Sequence, residues 1–340
     1  MPMATIKTKQ NLIEEPFDEH CRRPHVVLLG AGASLAAFPD GDASGYPLPL
    51  MDNLVETLGL QSLLKSTALE YEDQSNFEIM YSMLAPDPSN ADLLCEIERR
   101  IETYFTGLLL PSHATMYDRL LLSLRPSDAV FTFNWDPFLF DAYQRNRQAV
   151  SLPGIFFLHG NVRIGACLNH DEWGARGGHC SECGNRLTNV PLLYPIEKKD
   201  YSKDPYIRRN WEAAETLLAE AFALTIFGYG APTSDKDAVE LLRLAWLERS
   251  DRTLEHVEII DILDSTTLYD RWSPFNQSKH HRVSNTFQQS RLSRWLRRSC
   301  ESILYPMRYG VPCEDFPLPP GSSLVELQKF AADIAQYEAG

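Results

Sequence analysis

Residues 25–34 read His-Val-Val-Leu-Leu-Gly-Ala-Gly-Ala-Ser. The apolar run that ends at Gly30 is typical of a strand buried on both faces of a parallel sheet. Glycines directly after such a strand let backbone N–H groups approach an anion, and the start of the following helix adds a favourable dipole. Two interpretations follow: a pyrophosphate cradle, or a tight strand-to-helix turn without a ligand. The cradle would consist of Gly30, Ala31, Gly32, Ala33 and Ser34.

Strand and helix patterns alternate along most of the chain. Further strands are predicted at 129–133, 155–158, 192–196, 223–227 and 256–262, and helices at 91–107, 112–124, 137–148, 204–221 and 234–249. Alternation of this kind implies right-handed crossovers and a doubly wound, mainly parallel α/β sheet. Ligands of such sheets bind beyond the carboxyl ends of the strands, where the strand order reverses.

The 340 residues divide into three predicted parts. Residues 1–22 resemble a loose N-terminal arm, and 23–310 form the main domain. Residues 311–340 combine a proline-rich linker with a C-terminal helix. Within the main domain we expect a smaller helical insertion at about 47–124 and a cysteine-rich module at about 162–190.

The C-terminal region carries two amphipathic patterns. One predicts a helix at 289–301, whose arginines most simply form a solvated face. The other follows a capping box formed by Ser323 and Glu326. Its stripe can pack on the chain's own core or on a neighbouring subunit, and we favour an oligomer. The stripe runs through Leu324, Leu327, Phe330, Ile334 and Tyr337.

Charge and cysteine content exclude several classes of protein. The net charge of −14 argues against a chain whose whole surface binds nucleic acid or anionic lipid, and we expect no direct nucleic-acid binding. The most apolar run, at 217–230, contains Glu220 and is too short to cross a bilayer, so we expect no membrane association. Seven cysteines, an odd number, do not resemble a disulfide framework and favour the reducing cytoplasm.

Polar side chains follow two of the predicted strands. Asn134 and Asp136 come at the end of the strand 129–133, and His159 ends the strand 155–158. Side chains at these positions point into the ligand crevice of a doubly wound sheet. Simpler interpretations exist, because Asp136 can cap the next helix and a single histidine is more often structural.

A second glycine turn follows the strand at 223–227. Its backbone N–H groups are candidates to hold a second phosphate or a ribose, although a plain turn with a Ser or Thr helix cap is nearly as good an interpretation. A late carboxylate, Asp261, is a candidate for a ribose hydroxyl, with a strand-end cap as the simpler role. The candidate binding residues of the turn are Gly228, Tyr229, Gly230 and Ser234.

The most specific pattern is Cys167-x-x-His170 followed by Cys180-x-x-Cys183. Two such knuckles supply the four ligands of a tetrahedral zinc ion, and no position is left open for a catalytic water. We therefore expect a structural zinc site. His179 competes with His170 as the fourth ligand, although its adjacency to Cys180 makes that ligation awkward.

Taken in order, these motifs resemble a sirtuin-like NAD-consuming domain, over about residues 24–264. The resemblance implies a doubly wound, mainly parallel Rossmann-like sheet, a structural zinc, and NAD as the substrate. Two departures argue against a typical deacylase. Residues 45–50 read Gly-Tyr-Pro-Leu-Pro-Leu where deacylases carry a Phe and an Arg, and Phe133 stands where the family has Gln. The remaining pattern is closest to the sirtuin-like NAD hydrolases of bacterial antiphage defence.

We therefore expect an NAD hydrolase that releases nicotinamide and ADP-ribose. Asn134 would orient a water or the ribose hydroxyls, His159 would accept a proton, and Asp136 would support Asn134 or the developing positive charge. The resemblance implies a homo-oligomer or a partner protein of a defence system. Alternatives are an NAD-dependent protein deacylase, an ADP-ribosyltransferase, and a non-catalytic module that senses NAD or ADP-ribose.

Overall fold

A computed structural model describes residues 19–65, 67, 69–70, 73–170, 172–196, 199–248, 254–275, 280–336 and 338. The strands of this part of the chain are β1 His25–Leu29, β2 Ala129–Thr132, β3 Gly154–Phe157, β4 Ile164–Ala166, β5 Trp173–Ala175, β6 Thr188–Asn189, β7 Ala223–Phe227, β8 His256–Ile260 and β9 His281–Ser284. The main sheet has six parallel strands in the order β3-β2-β1-β7-β8-β9. A second sheet, β5-β4-β6, is antiparallel and has three strands.

Strand order places the reversal point beside β1. The chain runs from β1 outward to β2 and β3, and then returns to build β7, β8 and β9 on the other side of β1. Every residue of β1, β7 and β8 is buried, as expected for parallel strands covered on both faces. The prediction of a doubly wound, mainly parallel α/β sheet is therefore confirmed. The loops after β1 and β7 flank the point where the order reverses.

Thirteen α-helices lie in the described part of the chain, and five of them, the second to the sixth, lie within residues 47–124. The longest of them, Ala91–Gly107, buries Ile97, Ile101 and Phe105 at a spacing of four residues, so one face packs on the core. The helices are α1 Ala31–Ala37, α2 Leu54–Thr57, α3 Gln61–Leu64, α4 Phe77–Leu84, α5 Ala91–Gly107, α6 Met116–Leu122, α7 Phe138–Asn146, α8 Pro205–Glu220, α9 Lys236–Leu247, α10 Ser265–Trp272, α11 Arg291–Arg294, α12 Glu301–Leu304 and α13 Leu324–Ala335.

Two predicted elements are wrong. Residues 192–196 form no strand, because Pro195 cannot continue a ladder and Tyr194 instead stacks on Tyr81 at 5.1 Å between ring centroids. The predicted helix at 289–301 is broken after Arg294. There Arg297 adopts a left-handed φ of 59°, and its N–H donates to the Ser123 carbonyl (2.8 Å).

The terminal helix α13 packs on its own chain. Its capping box is present, and Leu327, Ala331 and Ile334 are buried, with α6 as a neighbour. Tyr337, the last residue of the predicted stripe, lies outside the described residues. The chain itself therefore covers Leu327 and Ile334 of the stripe, while Leu324 and Phe330 are partly buried.

The predicted N-terminal arm is described only in part. Glu19–Arg22 form a 3-10 helix in which Cys21 is buried, and the other residues of the arm are outside the described ranges. Among the described residues, no helix combines the length and hydropathy needed to cross a lipid bilayer.

Candidate functional site

The first glycine turn packs directly against the loop that follows β7. Gly30 N–H donates to the Phe227 carbonyl (3.0 Å), and Gly32 N–H donates to the Gly228 carbonyl (2.9 Å). A Cβ atom on Gly32 would lie 2.9 Å from Gly228 Cα, and one on Gly228 would lie 2.2 Å from the Ala33 nitrogen. Gly228 also has a φ of +59°, which favours glycine. Glycine is therefore required at these positions because two backbones touch.

The contact between the two backbones explains why these positions are glycine, and no ligand is needed for that explanation. The N–H groups of Gly30 and Gly32 are engaged by the β7 loop, and Ala33 N–H donates to the Gly30 carbonyl (3.0 Å). Ala31 is exposed at the start of α1. These hydrogen bonds are those of a tight strand-to-helix turn. The pyrophosphate cradle stays a prediction.

Ser34 is buried together with polar side chains from two other elements. Its hydroxyl donates to Asp136 Oδ2 (2.5 Å) and contacts the Tyr117 hydroxyl (2.6 Å). Asn134 Nδ2 donates to Ser34 Oγ and to the Gly30 carbonyl, both at 3.0 Å. Asn134 and Asp136 therefore tie the end of β2 to the first glycine turn, and these bonds fix the plane of the Asn134 amide.

Asp136 has two roles in the structure. Its Oδ2 accepts from Ser34, while its Oδ1 accepts from Phe138 N–H (3.2 Å) at the first residue of α7. Pro137, rather than Asp136, stands in the N-cap position, which corrects the predicted cap by one residue. Burial raises the pKa of the Asp136 carboxyl to about 6, against the opposing effect of these two hydrogen bonds.

His159 is enclosed at the carboxyl end of β3. Its ring packs edge-on against Phe133 at 4.8 Å, and Phe133 stacks on Tyr229 at 4.1 Å between centroids. Nε2 is fully buried and has no hydrogen-bond partner among the described residues. Burial lowers the pKa of His159 to about 4, so the imidazole is neutral at neutral pH and can accept a proton.

A buried ion pair lies beside His159. Lys199 Nζ is 2.5 Å from Asp235 Oδ1 and also donates to the Ser234 carbonyl (2.8 Å). The Tyr229 hydroxyl donates to Asp235 Oδ2 (3.0 Å), and Asp235 Oδ1 lies 3.7 Å from His159 Nε2. The side chains of Lys199 and Asp235 are only 2% and 6% exposed. Both charges are therefore held out of water next to the histidine.

The predicted catalytic residues thus lie at one edge of the sheet but in two neighbouring groups. Asn134 and Asp136 belong to the group around Ser34, and His159 belongs to the group around Asp235. Phe133 joins the groups, because it precedes Asn134 in the chain and its ring contacts His159.

The remaining predicted binding residues are placed as follows. Gly230 is exposed in the loop after β7, and Ser234 N–H donates to the Glu78 carboxylate (2.6 Å). The N-cap of α9 is Asp235, so the predicted Ser or Thr cap is wrong. Asp261 accepts from Leu263 N–H (3.0 Å) in the turn after β8.

Sequence reasoning missed three polar residues of this edge. Asp235 directly follows Ser234, so its place between the second glycine turn and the next helix was a usable signal. Tyr117 lies inside a helical pattern, and Lys199 is one lysine of a charged loop, so neither differs in sequence from an ordinary surface residue. Only the fold brings Tyr117 to Ser34 and Lys199 to Asp235.

The zinc-type cluster is formed by Cys167, His170, Cys180 and Cys183, whose ligand atoms all lie within 4.8 Å of one another. Cys167 Sγ is 3.7 Å from Cys183 Sγ and 3.6 Å from His170 Nδ1. Zinc bonds of about 2.3 Å to sulfur place tetrahedral ligands about 3.8 Å apart, so the donor set and its spacing fit a structural zinc ion.

His170 is the imidazole of this cluster. Its Nδ1 also lies 3.6 Å from Cys180 Sγ. The competing candidate, His179, instead pairs through its backbone with Arg186 beside the three-stranded sheet. Glu172 accepts hydrogen bonds from Ser181 N–H (2.7 Å) and from the Ser181 hydroxyl (2.8 Å), which holds the second knuckle in place.

No protein-family model and no curated protein matches the chain. Solved structures of Sir2 proteins are similar to it. A Sir2 homologue in complex with NAD is 12% identical with a TM-score of 0.42, and the match covers 85% of this chain and 90% of that one. A mutant Sir2 homologue with ADP ribose is 13% identical with a TM-score of 0.38, covering 95% and 100%. A Sir2 mutant with a deacetylated p53 peptide and 3'-O-acetyl ADP ribose is 14% identical with a TM-score of 0.36, covering 85% and 94%.

At identities and TM-scores this low, the likeness says nothing about the chemistry of the site. The molecule's own geometry establishes a doubly wound, mainly parallel α/β sheet, a Cys3His cluster fitted to structural zinc, and two buried polar groups at the carboxyl edge where the strand order reverses.

Proposed function

We propose that the chain is a sirtuin-like NAD hydrolase that cleaves the nicotinamide–ribose bond to give nicotinamide and ADP-ribose. The observation that carries this proposal is His159. It is a neutral, enclosed imidazole whose Nε2 has no hydrogen-bond partner among the described residues, and it lies at the carboxyl end of β3. Buried polar atoms are normally paired, so an orphaned ring nitrogen at a strand end points to function.

The reaction asks little of the protein's acid–base groups. Nicotinamide leaves a pyridinium as a neutral base and needs no proton, while the attacking water loses one. In the proposal, His159 accepts that proton and later releases it to solvent. Asn134, whose amide plane is fixed by Ser34 and Gly30, would offer Oδ1 to the water or a ribose hydroxyl. A carboxylate at Asp136 would face the positive charge that develops on the ribose.

Two features support NAD as the substrate. The glycine turns after β1 and β7 lie on either side of the point where the strand order reverses, which is where doubly wound sheets bind nucleotides. The order of the motifs resembles that of sirtuin-like NAD-consuming domains. In this proposal Ala31 and Ser34 lie nearest the pyrophosphate, with Gly230, Ser234 and Asp261 toward the ribose.

The biological setting is proposed on the same resemblance. We propose an effector of bacterial antiphage defence that acts in the cytoplasm as a homo-oligomer or with a partner protein. None of the seven cysteines forms a disulfide, which suits a reducing compartment. The domain limits proposed with it are 23–310 for the NAD-binding domain and 311–340 for the C-terminal extension.

The test is nicotinamide release from NAD by the pure chain, measured for the wild type, His159→Ala and Asn134→Ala. We expect a loss of about 10²–10⁴-fold in kcat for His159→Ala, the range typical of general-base removal. Two pKa values set the expected pH dependence. Wild-type activity should fall as the pH drops through about 6, where Asp136 loses its charge, and fall further near pH 4, where His159 becomes protonated.

His25→Ala is the matched control. His25 is also fully buried with a pKa lowered to about 4, but it lies at the amino end of β1, on the opposite edge of the sheet. Equal activity losses in His25→Ala and His159→Ala, at equal loss of stability, would contradict a catalytic His159. Turnover that requires an acetyl-lysine peptide would identify a deacylase, transfer of ADP-ribose to protein a transferase, and tight binding without cleavage a sensor.

A further inference from the structure

The segment that precedes α8 brings a lysine into the interior beside His159. Lys199 Nζ contacts Asp235 Oδ1 (2.5 Å) and the Ser234 carbonyl (2.8 Å), and its side chain is 2% exposed. The buried ammonium group of Lys199 therefore joins the segment before α8 to residues 234–235, which follow the loop after β7. Lys199 is separated in the chain from every residue proposed to act on NAD.

Asp235 is held from two sides and faces His159 on a third. Lys199 binds Oδ1, the Tyr229 hydroxyl donates to Oδ2 (3.0 Å), and His159 Nε2 lies 3.7 Å from Oδ1. The distance from His159 Nε2 to Asp235 Oδ1 is longer than a hydrogen bond, whose donor and acceptor atoms are at most about 3.2 Å apart. Contacts of this kind in ligand-free sites are often long and tighten when substrate binds.

A buried ion pair is weak evidence of stabilisation. Removing two charges from water costs about as much as their attraction returns, and apolar substitutes are often neutral or stabilising. A buried pair in contact with an unpaired histidine is therefore better explained by an effect on the histidine. The ring's fully enclosed nitrogen, Nε2, is the one that faces Asp235.

We propose that Asp235 is a positioning residue for His159, and that Lys199 anchors Asp235. At 3.7 Å the Asp235 carboxylate attracts Nε2–H, and the contact shortens to a hydrogen bond in the reacting complex; it thereby selects the tautomer in which Nδ1 is the proton acceptor. This inference rests on the proposed function, because it gives His159 its orientation for proton transfer.

The charges balance through the step. In the resting site Lys199 and Asp235 neutralise each other and His159 is neutral. When Nδ1 takes a proton from the attacking water, the O–H bond electrons stay with the oxygen that bonds to the ribose. The imidazolium then keeps Nε2–H on Asp235, and nicotinamide leaves with the electrons of its bond to the ribose. The proton passes from Nδ1 to solvent when the product leaves.

Several titratable groups face this histidine. Lys199 and Tyr201 come from the segment before α8, Tyr229 from the loop after β7, and Asp235 from the 3-10 helix Thr233–Asp235. Glu78 of α4 is one step further away, since it accepts from Ser234 N–H. Asp235 favours the protonated ring and Lys199 opposes it, so the two side chains have opposite effects on the pKa of His159.

The tautomer of His159 can be measured without any enzymatic turnover. Nitrogen-15 spectra of the full-length chain distinguish Nε2–H from Nδ1–H, and His159→Gln identifies the His159 signals. We expect the wild type to show Nε2–H at pH 7. Asp235→Asn should shift the tautomer away from it and lower the pKa of His159, whereas Lys199→Met should raise that pKa by about one to three units.

Kinetics and a matched variant complete the test. Asp235→Asn should lower kcat for nicotinamide release by about 10²–10⁴-fold with little change in KM. Asp128→Asn is the control, because Asp128 is equally buried and paired with Arg125 at the amino edge of the sheet. It should lower stability and leave the His159 tautomer unchanged.

The inference is overturned if wild-type His159 is Nδ1–H, or if Asp235→Asn changes neither its tautomer nor its pKa. The expected spectra in a chain that does not cleave NAD would instead contradict the proposed hydrolase and support the positioning of His159 by Asp235. The two failures are therefore distinguishable.

Discussion

Gly228 carries two separate constraints, and each can be measured. Glycine adopts a φ of +59° at little cost, whereas other residues adopt it only with strain. A Cβ atom at this position would also lie 2.2 Å from the Ala33 nitrogen, which is a backbone atom and cannot move aside. We expect Gly228→Ala to lower the free energy of unfolding by about 3 kcal/mol or more, measured by denaturant titration.

Two other glycines separate these constraints. Gly45 has a φ of +78° with nothing within 4 Å of a Cβ, so Gly45→Ala should cost only about 1 kcal/mol from backbone strain. Gly230→Ala meets neither constraint and should change stability by about 0.5 kcal/mol or less. Similar losses in Gly228→Ala and Gly45→Ala would show that the contact between the two loops contributes nothing.

At the residue scale, sequence patterns located strand-end polar residues but not their partners. Asn134, Asp136 and His159 follow predictable strands, so their edge of the sheet was predictable. Which polar atoms meet there depends on contacts between segments far apart in the chain. Lys199 shows this, because its partner Asp235 is 36 residues further along the chain.

Among the elements, the three-stranded sheet depends most on a single ion. β4, β5 and β6 have only two or three residues each, and short strands of this kind need an additional source of stability. A structural zinc supplies it by joining the knuckle at Cys167 to the knuckle at Cys180. The module should therefore lose its order when the metal is removed.

The assignment of His170, rather than His179, as the fourth zinc ligand can be tested directly. We expect metal analysis of the purified chain to find about one zinc ion per chain in the wild type and in His179→Ala, but much less in His170→Ala. His179 is the matched control because it lies next to Cys180 in the same module. Loss of zinc in His179→Ala with retention in His170→Ala would reverse the assignment.

Elements whose caps are written in sequence were predicted well. The limits of α8 agree with the prediction to one residue at each end, with Asp204 as its N-cap, and the capping box of α13 is present. β9 was missed because His281–Ser284 mixes polar and apolar residues and lies at the edge of the sheet, where full burial is not needed. Residues 192–196 were overpredicted because an apolar run can also pack as an irregular segment over aromatic rings.

For the molecule as a whole, α13 joins the end of the chain to its core. Leu327 is fully buried, and Arg297, itself 1% exposed, pairs with Glu338 just beyond the helix. Gln328 Nε2 donates to the Arg145 carbonyl (3.0 Å), which adds a link to α7. The C-terminal extension is thus a packed part of the domain in the described residues.

Packing on the same chain makes a specific prediction. Leu327→Ala should lower the free energy of unfolding by about 2–5 kcal/mol, while the mass of the particle in light scattering stays that of the wild type. Val325, 72% exposed on the same helix, is the matched site, and Val325→Ala should change stability by about 0.5 kcal/mol or less. A change of oligomeric state in Leu327→Ala would instead return α13 to an interface.

The sheet order also has a consequence for biosynthesis. Among the described strands β1 leaves the ribosome first, yet one of its two edges pairs with β7, roughly 190 residues later. At about 5–20 residues per second, that edge stays without its partner for about 10–40 s. Until then the nascent chain exposes an apolar, hydrogen-bonding strand edge. We expect chaperones that bind extended apolar segments to protect it during translation.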